Sequence, residues 1–504
     1  MRLTANKNDD KLKELYDNDK LKHHDALAKQ GVRLYPYKYN KKSMIKDILE
    51  KFQDVSEEPS TEQVTTAGRL MQKRGHGKVI FMDLQDITGK IQLYFRMNDL
   101  GKEKFELINQ HIEVGDHLGV TGTVFRTRMG EITIFVKSFE FLSKSLAVLP
   151  EKYHRLQNIE LRYRKRYIDL IANIDVKTTF IKRSKIIEYV RKFLAEREYL
   201  EVETPFLQSV YGGANARPFT THHHFLDQDY FLRIAPELFL KRLIVGGFER
   251  VFELGKNFRN EDIDTLHNPE FTMLELYEAY SDYNDMMDLT EQLISQLALE
   301  ITGDYKVEFG DLTLYFKPPW RRVSMEEVVS QAIDRDFASM DIEKIKSIAI
   351  ANQLELDGLT EGEKELKKGE WLMELFEGTV EKDLIQPIFI TDFPIEVSPL
   401  AKKHRSKKGY TERFELFING WEFANGFSEL NDPLDQYQRF KDQDRRRQLG
   451  DTEAQMIDYD YIHALMFGLP PTGGLGIGID RLVMIFANQS SIKEVILFPQ
   501  VKNI

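Results

Sequence analysis

Residues 250–277 have the sequence RVFELGKNFRNEDIDTLHNPEFTMLELY, which predicts two strands joined by a charged loop. Alternation places four side chains on one face of the second strand: Phe271, Met273, Glu275 and Tyr277. Arg259 ends the first strand. The residues alone leave two interpretations open: a hairpin with exposed ion pairs, or a site where the forked guanidinium of Arg259 binds a phosphate or carboxylate.

A second hairpin is predicted at Asn419-Gly420, because this dipeptide favours the tight turn between antiparallel strands. Glu415 and Glu422 flank the turn. Two carboxylates that face each other repel unless a cation lies between them, and Mg²⁺ bound to phosphates is the usual cation. The alternative, two exposed glutamates at strand ends, stays open.

Beyond this turn, one strand face carries an amide, an aromatic ring and a carboxylate: Asn425, Phe427 and Glu429. An aromatic ring beside a carboxylate suits a cationic amine with an apolar stem. Residues 473–481 read GGLGIGIDR, which predicts a glycine-rich turn before a helix. Arg481 follows near the helix start, where anions are favoured. The glycine spacing superficially resembles a dinucleotide fingerprint, but no strand–helix–strand unit surrounds it.

Between residues 64 and 142 the hydrophobic period is two, which predicts five short strands and a small β-barrel, of the OB type or another. A basic stretch without acidic residues follows the first strand: Arg69, Lys73, Arg74 and Lys78. Phe81 and Gln92 lie on the next strands. Phe81 is either a core residue or a platform on which an unpaired base stacks, beside a glutamine that reads base edges.

Composition excludes several classes of protein. The chain has 504 residues and no cysteine, which excludes disulfides, thiolate metal sites and cysteine nucleophiles. The net charge of −11 alone argues against a polyanion partner, but one basic face is enough to bind nucleic acid. Because no apolar run reaches the length of a bilayer span and the N-terminal residues are polar, we expect a protein that is neither exported nor embedded in a membrane.

Taken in order, these segments resemble the three signature motifs of class II aminoacyl-tRNA synthetases. The helical pattern at 178–199, followed by Glu-Thr-Pro, resembles motif 1, the dimer-interface element; 258–271 resembles motif 2 and 474–481 motif 3. The finer similarity is to bacterial-type class II lysyl-tRNA synthetases. It is carried by GGANARPF at 212–219, IAPELFLKRL at 234–243 and ANGFSELNDP at 424–433.

The resemblance implies an α+β protein with an N-terminal five-stranded OB-fold β-barrel and a class II synthetase catalytic domain, built on a mostly antiparallel sheet flanked by helices. The implied organisation is a helical segment at 1–60, an anticodon-binding barrel at 61–145, a linker at 146–170 and a catalytic domain at 171–504. A helical insertion is expected around 325–385. A cytoplasmic homodimer, assembled through motif 1, is also implied.

The implied activity is ligation of L-lysine to tRNA(Lys) with ATP and two or three Mg²⁺ ions. Arg259 and Arg481 would be catalytic, on the α- and γ-phosphates. The implied ATP-binding residues are Arg259, Glu261, His267, Asn268, Phe271, Glu415, Glu422 and Arg481, with Glu415 and Glu422 also carrying Mg²⁺. The implied lysine-binding residues are Gly213, Glu237, Glu275, Tyr277, Asn425, Phe427 and Glu429. The implied anticodon-binding residues are Arg74, Phe81 and Gln92.

Three alternatives compete with this interpretation. An aspartyl- or asparaginyl-tRNA synthetase would need a cation or amide donors where this chain has carboxylates. A synthetase-like enzyme that lysylates a protein lacks the anticodon barrel expected at residues 64–142. A nucleic-acid-binding protein that uses only the barrel leaves the carboxylate pair unexplained.

Overall fold

The computed structural model describes residues 11–150, 156–352, 354, 366–451 and 453–502. The chain divides into two compact units, Met1–Gln157 and Asn158–Ile504. Parts of three predicted segments lie outside the described residues: the start of the N-terminal helical segment, a piece of the linker and the middle of the expected insertion.

The first unit is built around a closed barrel. Its strands are Gln63–His76 (β1), Val79–Gln85 (β2), Lys90–Arg96 (β3), His117–Arg126 (β4) and Ile132–Ser143 (β5). They pair in the order β1-β2-β3-β5-β4, and only the β3–β5 pair among them is parallel. Its helices are Asn18–Lys29, Ile45–Lys51, Met97–Leu100 and Lys102–His111. The predicted five-stranded barrel is confirmed.

Alternation along the barrel strands separates the core from the outer face. On β2, Ile80, Met82 and Leu84 are buried in the barrel core, whereas Phe81 points the other way and is half-buried. Burial of such aliphatic side chains contributes roughly 1.5–3 kcal/mol each, which makes this register costly to shift. The strand therefore leaves Phe81 on the outer face.

The second unit contains a sheet that has eight strands within the described residues, in the order β14-β15-β16-β17-β18-β11-β10-β6. The sheet is mostly antiparallel, with parallel pairing at β14–β15 and β10–β6. The strands of this unit are Leu200–Glu201 (β6), Leu207–Gln208 (β7), Thr220–His223 (β8), Gln228–Leu232 (β9), Arg250–Phe258 (β10), Glu270–Ala279 (β11), Lys306–Phe309 (β12), Leu312–Tyr315 (β13), Arg321–Ser324 (β14), Ile388–Thr391 (β15), Arg413–Ile418 (β16), Trp421–Ser428 (β17) and Thr472–Gly478 (β18).

Helices pack against both faces of this sheet: Ile174–Ala195 and Tyr283–Thr302 on the face of Leu274 and Leu276, and Glu237–Val245 on the face of Tyr277. The helices of the unit are Ile159–Arg164, Arg166–Ala172, Ile174–Ala195, Glu237–Val245, Tyr283–Thr302, Met325–Ala332, Ile342–Ala351, Lys368–Thr379, Pro433–Gln448, Tyr459–Met466, Ile479–Phe486 and Ile492–Val495. None of the described helices combines the length and the apolar composition that crossing a bilayer requires. The antiparallel sheet flanked by helices agrees with the fold predicted from the sequence.

The alternation of side chains along β11 shows which face of the strand packs against the main hydrophobic core. Leu274 and Leu276 are buried against a core that includes Val190 of helix Ile174–Ala195 and Leu293 of helix Tyr283–Thr302. Side chains at the intervening positions point to the opposite face. On that face, where helix Glu237–Val245 packs beside Tyr277, the strand lines a cavity.

The glycine-rich segment corrects one expectation. It was predicted as a turn, but residues 472–478 form strand β18, which lies between β17 and β11 in the middle of the sheet. Glycine normally weakens a strand, and at Gly473 and Gly474 neighbouring side chains leave no room for a Cβ atom. The other turn prediction is confirmed: Asn419 and Gly420 both adopt positive φ, 56° and 67°, between β16 and β17.

Candidate active site

The Tyr277 face of the sheet lines a cavity of about 410 Å³ in the second unit. All four residues predicted to share one face of β11 line it: Phe271, Met273, Glu275 and Tyr277. Strands β16, β17 and β18 supply much of the remaining sheet surface, including Glu415, Asn425 and Phe427. The three sequence segments that predicted chemistry therefore meet in one cavity.

Three glycines of β18 make the floor of this cavity. Gly474 pairs with Tyr277 on one side and Phe427 on the other, and Gly476 pairs with Glu275 and Asn425. Residues paired across neighbouring strands project from the same face. A Cβ atom at Gly474 would collide with the Glu429 carboxylate and lie 2.7 Å from the Tyr277 ring. The missing side chain of Gly474 leaves room for the Glu429 carboxylate and the Tyr277 ring above β18.

Arg259 lies at the end of β10 beside Phe271. Its guanidinium carbon is 5.1 Å from the centre of the Phe271 ring. The Nε atom of Arg259 is buried and has no hydrogen-bond partner within the described part of the chain. An unpaired buried donor on a permanent cation is costly, so this guanidinium is suited to an anionic ligand.

Arg481 lies in the first turn of helix Ile479–Phe486, directly after β18. Its guanidinium donates to the Glu422 carbonyl and lies 3.2 Å from Nε2 of His267. The other ring nitrogen of His267 is 2.8 Å from Asp264. Arg481 is thus a second cation in the site. It lies near Glu422 and is held by the His267 loop and by strand β17.

Glu415 and Glu422 both line the cavity. Burial and the neighbouring Glu422 raise the pKa of Glu415, while Arg413, whose Nη2 lies 2.6 Å from Glu415, opposes the rise. Two carboxylates that repel in the absence of a cation are a chemically suitable pair for Mg²⁺. Among the residues that the structure describes, no group of three or more His, Asp or Glu side chains could by itself hold a metal ion.

A buried acidic chamber lies at the base of the cavity. It contains the carboxylates of Glu237, Glu275 and Glu429, all less than 9% exposed. The ammonium of Lys241 is 2.5 Å from Glu237 and also forms an ion pair with Glu429. Burial lowers the pKa of Lys241, but Glu237 and Glu429 outweigh burial and raise it, so the side chain is charged. The chamber therefore contains more carboxylates than cations.

Glu275 connects this chamber to Arg259. Burial and Glu237 raise the pKa of Glu275 to about 8, against the opposing attraction of Arg233 and Arg259. The hydroxyl of Tyr277 donates to Glu275 over 3.3 Å. Within the described residues neither oxygen of Glu429 accepts a well-directed hydrogen bond, despite the ion pair with Lys241. Both carboxylates retain capacity to accept from a cationic ligand.

The remaining predicted residues differ in the hydrogen bonds that their polar groups already make within the protein. The amide nitrogen of Gly213 donates to Gln455 over 3.1 Å. Asn268 is buried, and its amide group bonds the backbone at Glu270 and Gln500, so it braces the loop. Asn425 accepts from Arg413 over 3.1 Å. Glu261, like these three, lines the cavity.

Lys241 and Arg413 are site residues that the sequence did not reveal as such. Glu237 and Lys241 are four residues apart on a helix, a spacing that usually marks an exposed ion pair. Arg413 and Glu415 are two positions apart on β16 and therefore lie on one face of the strand. This shared face was the signal in the sequence that could have identified Arg413 as a site residue. In the structure Arg413 binds Glu415, Asn425 and the Val397 carbonyl, and so braces the carboxylate face.

In the first unit, the three predicted anticodon residues lie on β1, β2 and β3. Phe81 packs against Tyr94 with ring centres 5.1 Å apart, in an outer-face cluster with Phe125 and Phe135. Gln92 bonds Thr133 over 3.0 Å. The exposed Arg74 lies 3.7 Å from Asp83.

The structure gives Lys73 a different role from the one expected for a member of the basic stretch. Its ammonium donates to the carbonyls of Ile108, Asn109 and Ile112, over 2.9, 2.7 and 2.7 Å, at the end of helix Lys102–His111. The Ile108 carbonyl also accepts from the N–H of Ile112, and the carbonyls at a helix end lack the full set of helical partners, which explains why a lysine binds them. Lys73 is therefore a helix-capping residue, and its neighbour Arg74 remains exposed.

Comparisons with known proteins agree with both units. Residues 158–502 match the family described as tRNA synthetases class II (D, K and N). Residues 64–142 match the family described as OB-fold nucleic acid binding domain. The first match contains every cavity-lining residue, and the second contains the outer-face aromatic cluster of the barrel.

Curated relatives are similar over nearly the whole chain. The lysine–tRNA ligase of Methanoculleus marisnigri is 57% identical over 488 residues, which cover 97% of this chain and 95% of that protein. Lysine–tRNA ligase 2 of Methanosarcina mazei is 56% identical over 97% of this chain and 94% of that protein. The lysine–tRNA ligase of Clostridium tetani is 52% identical over 88% of each chain. The chain belongs to the class II tRNA synthetase family, with an OB-fold nucleic-acid-binding domain before the synthetase domain.

Proposed function

We propose that the chain is a lysine–tRNA ligase, which converts L-lysine and ATP to lysyl-adenylate and pyrophosphate and then transfers lysine to the 3′-terminal ribose of tRNA(Lys). The observation that carries the proposal is the buried acidic chamber beside Arg259, whose buried Nε has no hydrogen-bond partner among the residues that the structure describes. The names of the curated relatives support the same activity.

The chamber supports selection of lysine among amino acids. Glu275, Tyr277, Phe427 and Glu429 would hold the lysine side chain, with the two carboxylates on its ammonium and Phe427 along the apolar stem. Glu237 and Gly213 would take the α-amino group, and Asn425 the carboxylate. An aspartate side chain would meet carboxylates of its own charge, and a neutral side chain would leave buried charges unpaired, at roughly 1–3 kcal/mol or more for each group.

The other end of the cavity supports binding of a bent ATP molecule. Arg259 would hold the α-phosphate and Arg481 the γ-phosphate, while Phe271 and Arg481 would enclose the adenine. Glu261, His267 and Asn268 would orient the nucleotide, the last by bracing the loop. Glu415 and Glu422 would hold two or three Mg²⁺ ions on the phosphates, and bound Mg²⁺ supplies neutralisation of phosphate charge.

In this arrangement catalysis consists of positioning and charge stabilisation. The lysine carboxylate attacks the α-phosphorus in line, and pyrophosphate leaves. Arg259 stabilises the charge that develops on the α-phosphoryl oxygens, because a fixed guanidinium in a water-poor site needs no reorganisation. The ribose hydroxyl of tRNA then attacks the adenylate carbonyl, the acyl–phosphate bond breaks, and AMP and the hydroxyl proton leave as the lysyl ester forms. We assign no general base to either step.

The barrel supports recognition of tRNA. Phe81 would stack on an anticodon base, and Gln92 and Arg74 would bind base edges and backbone. In the proposed organisation, residues 61–145 read the anticodon and residues 171–504 catalyse both reactions. A homodimer assembled through the motif 1 segment and action in the cytoplasm, where tRNA is charged for protein synthesis, complete the proposal.

Amino-acid-dependent exchange of pyrophosphate into ATP tests this function. The purified protein should incorporate labelled pyrophosphate with L-lysine, and charge tRNA(Lys) when tRNA is added. Exchange that depends on aspartate or asparagine would replace the proposal with one of its relatives in the same family. Nucleic-acid binding with no exchange for any amino acid would favour a non-catalytic barrel protein.

A further inference from the structure

An internal ammonium lies among the residues proposed to receive the substrate ammonium. The side chain of Lys241, on helix Glu237–Val245, is fully buried. Besides its ion pairs with Glu237 and Glu429, its Nζ atom lies 5.3 Å from the centre of the Phe427 ring and 5.8 Å from that of Tyr277. The protein thus fills part of its own chamber with an alkylammonium group.

The charges of the chamber match those of a diamino acid only when this ammonium is counted. Glu237, Glu275 and Glu429 provide three carboxylates, and Lys241 offsets one of them. L-Lysine brings two ammonium groups, while its carboxylate goes toward Asn425. Without Lys241, Glu429 would lose the ion-pair partner that the described residues give it, and burial would favour its protonated form.

We propose that Lys241 is a positioning residue that sets lysine specificity: its ammonium fixes the carboxylates of Glu237 and Glu429 and balances the chamber for a substrate with two ammonium groups. Lys241 acts through these carboxylates and does not itself contact the reacting atoms. This inference rests on the proposed function, because the substrate ammonium groups complete the charge balance.

A purely structural contribution of Lys241 would have a different signature. A helix ion pair that only stabilises the fold would lower thermal stability and the fraction of active protein, and would leave the KM values of the surviving enzyme unchanged. A residue that positions Glu429 and Glu237 changes the KM for lysine and leaves the KM for ATP unchanged, because ATP binds at the Arg259 and Arg481 end.

The test uses Lys241→Ala in the full-length protein with pyrophosphate exchange as the readout. The KM for lysine should rise about tenfold or more, and the KM for ATP should stay within about twofold. The substitution removes three methylene groups and an ammonium, which n-propylammonium replaces atom for atom. Added n-propylammonium should therefore lower the KM for lysine in the variant, whereas in the unaltered protein it should only compete with lysine.

One control tests whether rescue requires the ammonium charge and not only a molecule of the same shape. A second control tests whether the effect is specific to Lys241 among the cations of its helix. The neutral compound 1-propanol should give no rescue. Arg242→Ala removes the next cation of the same helix, which pairs with Asp458 and Asp460 instead, and should leave the KM for lysine within about twofold. If Lys241→Ala does not fold, Lys241→Met keeps most of the side-chain length without the ammonium, and its KM values decide between the two signatures.

The outcomes are distinct. An unchanged KM for lysine in Lys241→Ala, parallel rises in the KM for lysine and ATP, or equal rescue by 1-propanol would overturn the inference. Failure of both variants to fold would assign Lys241 to stability and overturn it as well. The unaltered protein is assayed alongside: if it shows no lysine-dependent exchange, the proposed function itself fails.

Discussion

The guanidinium of Arg259 lies over Phe271, with its central carbon 5.1 Å from the ring centre, and its buried Nε has no hydrogen-bond partner in the described parts of the chain. The ring holds the cation in place through its π face, which leaves the guanidinium donors available. A cation fixed in this way before the substrate arrives costs little to reorganise when phosphate charge develops. This pair therefore links the strand pattern of residues 250–277 to the proposed chemistry.

Arg259→Gln should abolish most adenylate formation. Removing a donor that faces developing charge lowers kcat by roughly 10²–10³-fold. Steady-state pyrophosphate exchange measures this effect, and Lys256→Gln, on the same strand beside Glu270, serves as a control that should remain active. A variant at Arg259 with near-normal kcat would show that this guanidinium does not stabilise the α-phosphoryl group.

Binding of lysine should release a proton near neutral pH. Because the pKa of Glu275 is raised to about 8, this carboxyl is mostly neutral at about pH 7 in the ligand-free protein. An incoming ammonium favours the ionised form, so lysine affinity should increase as pH rises from about 7 toward 8.5. Calorimetry in buffers of different ionisation enthalpy counts the protons. Glu275→Gln should flatten the profile, and an unflattened profile would assign the titration to another group.

Gly474→Ala should impair lysine binding more than other changes along β18. The added Cβ would collide with the Glu429 carboxylate and press on Tyr277. We expect a rise of about tenfold or more in the KM for lysine, since a misplaced site residue loses binding steeply. Gly478→Ala is the matched control, because its Cβ would meet nothing closer than 3.9 Å. Equal effects of the two substitutions would contradict a chamber above Gly474.

Phe81→Ala should weaken tRNA charging and spare lysyl-adenylate formation. Loss of one base–aromatic stack costs roughly 1–3 kcal/mol of binding, which corresponds to a rise in the KM for tRNA of about fivefold or more. The control is Tyr37→Ala in the same unit, an aromatic ring that is 97% exposed and lies outside the Phe81 cluster. If pyrophosphate exchange falls as far as charging, Phe81 contributes to folding and not to recognition.

The fold and the three motif segments were largely predictable because their signals are local. Asn419-Gly420 fixes a hairpin through its own backbone preferences, and alternation alone places Glu275 and Tyr277 on one face. The strand β18 was predicted as a turn because the crowding that requires Gly474 comes from Glu429, distant in sequence. In a sequence, a glycine indicates a flexible backbone. Only the tertiary structure shows that the missing side chain makes space for a neighbouring group.

Lys241 was missed for a related physical reason. Its spacing from Glu237 is the spacing of exposed helical ion pairs, and nothing within that helix shows that the pair is buried. Burial follows from Glu429 and Phe427, which approach from another strand. Charge partners across a fold are set by tertiary structure, so local pattern cannot reveal them.

Pyrophosphate exchange with L-lysine and with L-norleucine tests most directly whether the acidic chamber selects lysine. The norleucine side chain has nearly the same shape and no ammonium. An acidic chamber beside Arg259 predicts that kcat/KM for lysine exceeds that for norleucine by at least about 10³-fold, because norleucine brings no side-chain ammonium to Glu429 and Glu275. Glu429→Gln should remove most of that preference. Comparable activation of the two amino acids by the unaltered protein would contradict the chamber as the source of selection.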